Sequence, residues 1–306
     1  MSTMTYKIKY LILAFALLAS LGWAQQNAQY TQYMYNTGVI NPGYSGSRGT
    51  ASLTGLHRSQ WVGVDGAPST QTFNFDTSFM NRNTGLGVAV VNDAAGPAKQ
   101  TGIAVNYAYR LDLSRNYTLS FGISGSFDFL NVDVSKLIPG QSENIASINE
   151  SNPNVGVGAF LYSENVYFGL SAPRLLRSTY FDSVKVTSLD VLPHFYAIGG
   201  VVFDLSNSVQ FKPAFLVKAV SGAPIAADLS ANFLFNDKLT LGAAYRWDAA
   251  ASLLAGFQIT DNLLIGYAYD KDITGFGAVN SGSHEVFLKF NFNRNCNCTI
   301  RNPRFF

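Results

Sequence analysis

Apolar and polar residues alternate along several stretches of this chain. Between residues 117 and 129, the odd positions carry mainly Tyr, Leu, Phe and Ile, whereas the even positions carry Thr, Ser, Gly and Asp. Residues 102–111, 238–248 and 263–269 repeat the pattern. Successive side chains of a β-strand point to opposite faces. Each stretch therefore predicts a strand with one apolar and one polar face.

The same pattern, followed along the whole chain, predicts fourteen strands. They cover residues 51–57, 69–79, 85–92, 100–112, 116–130, 153–162, 165–172, 192–204, 208–220, 224–235, 238–248, 249–260, 262–273 and 283–293. Connections after the even-numbered strands are short and rich in turn-forming Asn, Asp and Ser. Connections after the odd-numbered strands include the long segments 131–152 and 173–191, although those near Gly222 and Asp248 are short. Most long connections thus fall on one side of the sheet.

Composition decides between a membrane sheet and a soluble one. Charged residues make up 13% of the chain and aromatic residues 14%, whereas soluble domains average roughly 25% charged residues. A soluble β-sandwich also alternates, but its outer face needs more Lys and Glu than these strands contain. No run of apolar residues after residue 24 is long enough for a membrane-spanning helix. We therefore predict an all-β fold, a transmembrane antiparallel β-barrel of the outer membrane with about 14 strands.

The first 24 residues have the layout of a secretory signal peptide. Lys7 and Lys9 precede an apolar run, and Gly22 and Ala24 supply the small residues of a cleavage site. The run is short for a membrane anchor, which needs about 20 residues. We expect cleavage after Ala24, which leaves 19 basic and 19 acidic residues because Lys7 and Lys9 are the segment's only charges. Without a basic patch, nucleic acid is not an expected partner.

Three further segments follow the signal peptide. Residues 25–50 either plug the barrel lumen or lie in the periplasm, residues 51–293 form the barrel, and residues 294–306 form a periplasmic tail. The tail holds the only cysteines, Cys296 and Cys298, which in an oxidising compartment form a strained disulfide, pair with a partner or remain reduced. It ends in Phe305 and Phe306, which we expect to dock into the barrel mouth or onto a periplasmic partner.

Candidate catalytic and metal-binding residues are sparse. The three histidines, His57, His194 and His284, are far apart and have no Cys or Glu at ligand spacing. No GxSxG motif occurs. Asp270 and Asp272 suggest either a calcium site or, more simply, a solvated loop entry. We predict no catalytic residue, no metal and no cofactor, although a barrel fold alone does not exclude catalysis.

One loop on the side of the long connections carries candidate partner contacts. Trp61 is followed by Asp65, Gly66 and Pro68 in a segment rich in Gly and Pro. Such a loop either contacts another protein or is a turn that packs Trp61 at the barrel rim. We take these residues, with the cysteine pair and the two terminal phenylalanines, as candidate contacts.

Several motifs occur in a fixed order along the chain. They are YTQYMYN at 30–36, NPGYSG at 41–46, RSQWVG at 58–63, DGAP at 65–68, VVND at 90–93, KAVSGAP at 218–224, ANFLFND at 231–237 and NPRFF at 302–306. Together they resemble the PorP/SprF family of the type IX secretion system, found in the Bacteroidota. Between residues 93 and 96 this chain has Ala-Ala where the family's turn usually has another pair.

The resemblance implies a non-enzymatic component of type IX secretion that helps to secrete or anchor a surface protein. Family members are implicated in handling cargo such as adhesins with a type B sorting domain, and some are tied to gliding motility. Periplasmic type IX components or a peptidoglycan-binding lipoprotein are implied partners, in addition to membrane lipid. Two other readings remain open: a porin-like channel for small solutes, and a structural barrel that bridges the membrane to peptidoglycan.

Overall fold

The first and last long strands of the chain pair with each other and close the sheet into a barrel. In a computed structural model that describes residues 29–79, 83–133, 148–180 and 189–292, β1 (Ser52–Ser59) runs antiparallel to β17 (Ser283–Asn291), with Leu56 opposite Phe287. Closure removes the exposed edges that an open sheet would present to lipid. The predicted β-barrel is confirmed.

The remaining barrel strands pair antiparallel with their neighbours in sequence. They are β2 (Ser69–Phe79), β3 (Thr84–Ala95), β4 (Ala98–Asp112), β5 (Thr118–Val132), β6 (Ile148–Tyr162), β7 (Val166–Ala172), β10 (His194–Val201), β11 (Phe203–Ser206), β12 (Val209–Val220), β13 (Ala226–Phe235), β14 (Leu239–Arg246), β15 (Ala250–Thr260) and β16 (Leu263–Asp272). Both β10 and β11 pair with β12, so they count as one strand interrupted at Val202. The barrel therefore has 14 strands, as the sequence predicts.

The apolar face of each strand lies on the outside of the barrel. On β5, Phe121, Ile123 and Phe127 are exposed, whereas Ser124 and Asp128 are buried in the lumen. The residues of the lumen face are small and polar, so they leave room for another segment of the polypeptide inside the barrel. The period-two pattern thus marks the boundary between lipid and lumen.

Several strands are longer than their sequence pattern indicates. β6 begins at Ile148 instead of residue 153, and β3 continues to Ala95 instead of residue 92. The segment 173–191, expected to be a loop, contains a separate hairpin of β8 (Ser178–Tyr180) and β9 (Leu189–Val191). Where a strand extends beyond the hydrocarbon layer of the membrane, both of its faces contact water. Alternation therefore no longer identifies these strand ends.

Helical structure is confined to three short turns in the described part of the chain. They are α1 (Thr37–Ile40) and the 3-10 turns Pro42–Tyr44 and Gly275–Ala278. No helix among these residues is long and apolar enough to cross a membrane.

The connections divide the barrel into two unlike ends. One end, termed the short-turn side, has connections at 80–83, 113–117, 163–165, 207–208, 236–238 and 261–262. The other, termed the loop side, has its longest connections at 60–68, 133–147, 173–193 and 273–282. In bacterial outer-membrane barrels the short turns face the periplasm. The loop side is therefore the external side.

The outer face of β5 provides a test of the membrane position. Replacing Ile123, at the middle of this face, with arginine should destabilise the barrel by about 2–4 kcal/mol, because the charge would lie near the bilayer centre. The measurement is the free energy of unfolding in urea, with the protein folded in lipid vesicles. Asn131→Arg on the same strand, exposed near its loop-side end, should cost at most about 1 kcal/mol. Equal costs at the two positions would contradict this assignment.

Candidate functional site: the plugged lumen and its loop-side vestibule

Residues 30–48, which precede β1, lie inside the barrel. Residues 30–48 are buried except for half-buried Val39. Their hydrogen bonds reach strands around the barrel: Asn36 Nδ2 donates to Thr72 Oγ1 on β2 at 3.0 Å, and Tyr33 Oη lies 3.2 Å from Ser230 Oγ on β13. We call residues 29–50 the plug.

One end of the plug is held by a carboxylate on the loop side. Glu285 accepts hydrogen bonds from the backbone N–H groups of Thr31 at 3.0 Å and Gln32 at 2.8 Å. Arg58 Nη1 lies 3.1 Å from Glu285, and Arg58 Nη2 lies 2.6 Å from Asp270. All three charged side chains are almost completely buried. Removing one partner of such an ion pair would leave an uncompensated buried charge.

The other end of the plug is held on the short-turn side. The backbone N–H of Gly46 donates to Asp76 Oδ1 at 3.1 Å, near the end of β2. Arg110 Nη1, near the end of β4, donates to the carbonyl of Ser45 at 3.3 Å. The plug therefore runs down the lumen from the loop side to the short-turn side, where the chain enters β1.

The middle of the plug requires small residues on the barrel wall. Asn41 Oδ1 accepts a hydrogen bond from the backbone N–H of Gly43 at 2.8 Å, which caps the turn that Pro42 begins. Asn41 Nδ2 donates to the carbonyl of Ala159 on β6 at 3.0 Å. A Cβ atom added at Gly122 would collide with the backbone of Pro42 and Gly43. The turn is thus fitted closely to the wall.

Aromatic side chains fill the space between the plug and the wall. Tyr35 stacks on Phe287 of β17 with ring centres 4.4 Å apart, and Tyr44 meets Phe160 of β6 edge to face at 5.4 Å. Burial raises the pKa of Tyr35 and Tyr44, both of which belong to the plug, above the ordinary value. The two phenols are therefore neutral.

Above the plug, a cavity of about 460 Å³ lies on the loop side. We call this cavity the vestibule. Its floor includes Tyr30 and Ile40 of the plug, and its walls come mainly from β3, β4 and β5. Arg174 Nη2 lies 2.7 Å from Asp128 Oδ1 where the wall meets the segment after β7. The vestibule is thus a mixed apolar and charged recess that the plug separates from the short-turn side.

The candidate contact residues of the β1–β2 loop lie at the vestibule rim. Trp61 and Pro68 line the cavity. The ring of Trp61 packs edge to face against the ring of Phe276, with ring centres 5.0 Å apart. The backbone of Trp61 has a positive φ of 46°. Asp65 and Gly66 are exposed beyond them. This loop thus combines a packed tryptophan with an accessible tip.

The other sequence-based candidates are distributed differently. Cys296, Cys298, Phe305 and Phe306 lie outside the described residues. Asp270 faces the lumen and is paired with Arg58, so it is not a solvated loop entry, and Asp272 is the last residue of β16. Over the described ranges, no three His, Cys, Asp or Glu side chains are grouped as metal ligands.

The residues that hold the plug were not singled out from the sequence. Glu285, Arg58 and Asp76 are charged residues at polar positions of strands, where most neighbours are small or uncharged. A charged residue at such a position was the feature of the sequence that could have identified them. It marks a lumen charge that needs a partner but does not reveal which one.

Comparison with known proteins relates the chain to one family. The family described as "Type IX secretion system membrane protein PorP/SprF" matches residues 23–290. No curated protein matches significantly.

Solved barrels are similar at low identity. Outer membrane protein Omp33 of Acinetobacter baumannii is 13% identical, with 81% of this chain and 100% of that chain covered and a TM-score of 0.48. The CymD monoaromatic hydrocarbon channel is 8% identical, with 90% and 97% covered and a TM-score of 0.49. A Pseudomonas aeruginosa FadL homologue is 11% identical, with 90% and 98% covered and a TM-score of 0.46.

The fit of the plug against the wall can be tested by conductance. Gly122→Leu should displace the plug and produce ion conductance in planar bilayers, because its side chain would occupy the position of Pro42 and Gly43. The matched control is Gly125→Leu on the same strand, where an added Cβ has no neighbour within 4 Å. The wild type and the control should conduct little. Equally high conductance in all three proteins would show that the plug does not close the lumen, and equally low conductance would show that Gly122→Leu does not displace it.

Proposed function

Because the chain belongs to the PorP/SprF family of type IX secretion system membrane proteins, we propose that it holds a secreted or surface-attached protein at the external face of the outer membrane. The observation that carries this proposal is the loop-side vestibule above a filled lumen. A recess that is open to the outside and closed below suits retention of a partner. It does not suit passage of solutes.

The dimensions of the vestibule agree with binding of a short segment of another protein. Its volume of about 460 Å³ falls within the range of about 300–1,000 Å³ typical of ligand pockets. Apolar groups of the plug and a charged pair at the wall offer both packing and polar contacts. In this proposal Trp61 and Pro68 contact the bound protein from the rim, and Asp65 and Gly66 contact it from outside.

The cargo follows from the family resemblance. We propose an adhesin with a type B sorting domain, with a link to gliding motility. The barrel supplies no catalytic step in this scheme, because its work is to bind and position another protein.

A porin-like channel is the alternative function. A barrel of this size encloses a lumen wide enough for solutes when it is empty. Here residues 30–48 occupy that lumen and are held at both ends by hydrogen bonds. Steady conductance of the wild-type protein in planar bilayers would favour the channel over the anchor.

Cargo retention can be tested with the protein in its native membrane. An affinity tag inserted at Gly222, in a loop that does not line the vestibule, leaves both chain ends free. We expect a large surface protein or type IX components to copurify in mild detergent and to be identified by mass spectrometry. The same spectra should show a mature N-terminus at Gln25 if export includes cleavage after Ala24.

A pair of neighbouring substitutions tests the vestibule itself. Ala95 lines the cavity and Ala94, the preceding residue on β3, does not. Ala95→Trp should reduce cargo recovery about ten-fold, equivalent to about 1.4 kcal/mol of binding free energy, whereas Ala94→Trp should leave it unchanged. Recovery of the barrel alone from the wild type, or equal recovery from both variants, would contradict the proposed site.

The tail provides a separate test of the periplasmic side. We propose that residues 294–306, with Cys296, Cys298, Phe305 and Phe306, contact a periplasmic type IX component or a peptidoglycan-binding lipoprotein. Deleting them should remove that protein from the copurified set but leave the surface cargo and barrel assembly intact. Unchanged copurification would overturn the proposed role of the tail. On deletion of the whole protein, loss of envelope attachment with cargo retained at the surface would favour the bridging function.

A further inference from the structure

The lining of the vestibule carries a carboxylate, Asp93, that lies apart from the charged pair at the wall. Among the described residues, three charged side chains line the cavity: Asp93 on β3, Asp128 on β5 and Arg174 after β7. Asp128 and Arg174 lie 2.7 Å apart and offset each other. Within the described ranges, Asp93 belongs to no ion pair. With these groups ionised, the described lining carries one net negative charge.

Asp93 is held in position on the vestibule wall by a neighbouring strand. Thr70 Oγ1, buried on β2, donates a hydrogen bond to Asp93 Oδ1 at 2.6 Å. Among the residues that the structure describes, none donates a hydrogen bond to Asp93 Oδ2. Gln100, which lies opposite Asp93 in the pairing of β3 with β4, also lines the cavity. The carboxylate is therefore oriented through one oxygen, and the other is available to a ligand.

Aromatic rings line the same cavity as Asp93. Tyr30 belongs to its floor and Trp61 to its rim. A cation is attracted to the face of an aromatic ring, most strongly to that of tryptophan. The stem of a long basic side chain is apolar and can pack against Val39 and Ile40 of the plug, which also line the cavity. The vestibule thus combines the groups that recognise a cation at the end of an aliphatic chain.

Desolvation of Asp93 restricts which protein segment can fill the vestibule. A bound segment excludes water from the lining, whereas Asp93 is only half-buried in the free protein. A carboxylate that is taken out of water without a counter-ion is costly. An apolar or acidic segment would carry that cost in full. A segment with a basic side chain avoids it, because its ammonium or guanidinium group pairs with the carboxylate.

We propose that the protein held by the barrel inserts a lysine or arginine side chain into the vestibule, where its cationic end pairs with Asp93. This inference rests on the proposed function and names the chemistry of the segment that is bound. Thr70 fixes the direction of the carboxylate, and the rings of Tyr30 and Trp61 contact the incoming cation. The vestibule therefore selects among surface proteins by charge, and it rejects segments that bring a carboxylate or an apolar side chain to this position.

Recovery of cargo from native membranes tests the role of Asp93. Asp93→Asn keeps the shape of the side chain and its hydrogen bond from Thr70 but removes the charge. It should lower cargo recovery about ten-fold, because the cation of the partner would then be buried without a counter-ion. Asp248→Asn makes the same change at an exposed loop-side turn that does not line the vestibule. Asparagine tolerates the positive φ of 55° there, so recovery should be unchanged. Equal recovery from both variants would overturn the inference and leave the proposed function intact.

A second experiment uses a defined probe in place of cargo. The purified protein in detergent is titrated calorimetrically with acetyl-Gly-Arg-Gly-amide and with the same peptide carrying citrulline, which has the shape of arginine without its charge. The arginine peptide should bind about ten-fold more tightly to the wild type and to Asp248→Asn, but not to Asp93→Asn. Equal affinities in the wild type, no binding of either peptide, or a preference that survives in Asp93→Asn would overturn the inference. A preference for arginine without any cargo in the native membrane would overturn the proposed function and not the cation site.

Discussion

The pairing of β1 with β17 is the contact on which the rest of the structure depends. A sheet in lipid has no water to satisfy its edge, so its first and last strands must meet. That closure creates a lumen whose wall is lined by residues of the polar face. A lumen bounded by fourteen strands is wide, and here residues 29–50 fill it. The vestibule is the part of the loop-side lumen that these residues leave unfilled.

The charges of the lumen follow from the same constraint. Along the plug, peptide groups need partners that cannot be lipid or bulk water. Glu285 and Asp76 supply acceptors at its two ends, and Arg58 offsets the charge of Glu285. Buried ion pairs of this kind add little net stability, because desolvation of the charges offsets their attraction, but they restrict where the plug can bind. They fix where the plug begins and ends, and hence the depth of the vestibule floor.

Sequence alone predicts the barrel wall well, because contact with lipid imposes an apolar residue at every second position. It predicts the β3 and β6 ends poorly, because those ends rise into water on both faces. The plug contacts were beyond its reach for another reason. Thr31 and Glu285 are 254 residues apart, and no local pattern joins them. Trp61 and Pro68 were singled out as candidate contacts because their loop is rich in Gly and Pro. Their place at the vestibule came from the structure.

The direction of the plug also restricts the order of assembly. Thr31 lies near the loop side and the chain descends to reach β1 on the short-turn side, although the polypeptide arrives in the outer membrane from the periplasm. Once the barrel has closed, a segment that precedes the first strand and runs toward the loop side cannot enter the lumen while its upstream end is still attached elsewhere. Its leading end must be free, and it must either be enclosed as the final seam forms or be drawn in afterwards. Release from any upstream tether thus becomes a condition for completing the fold.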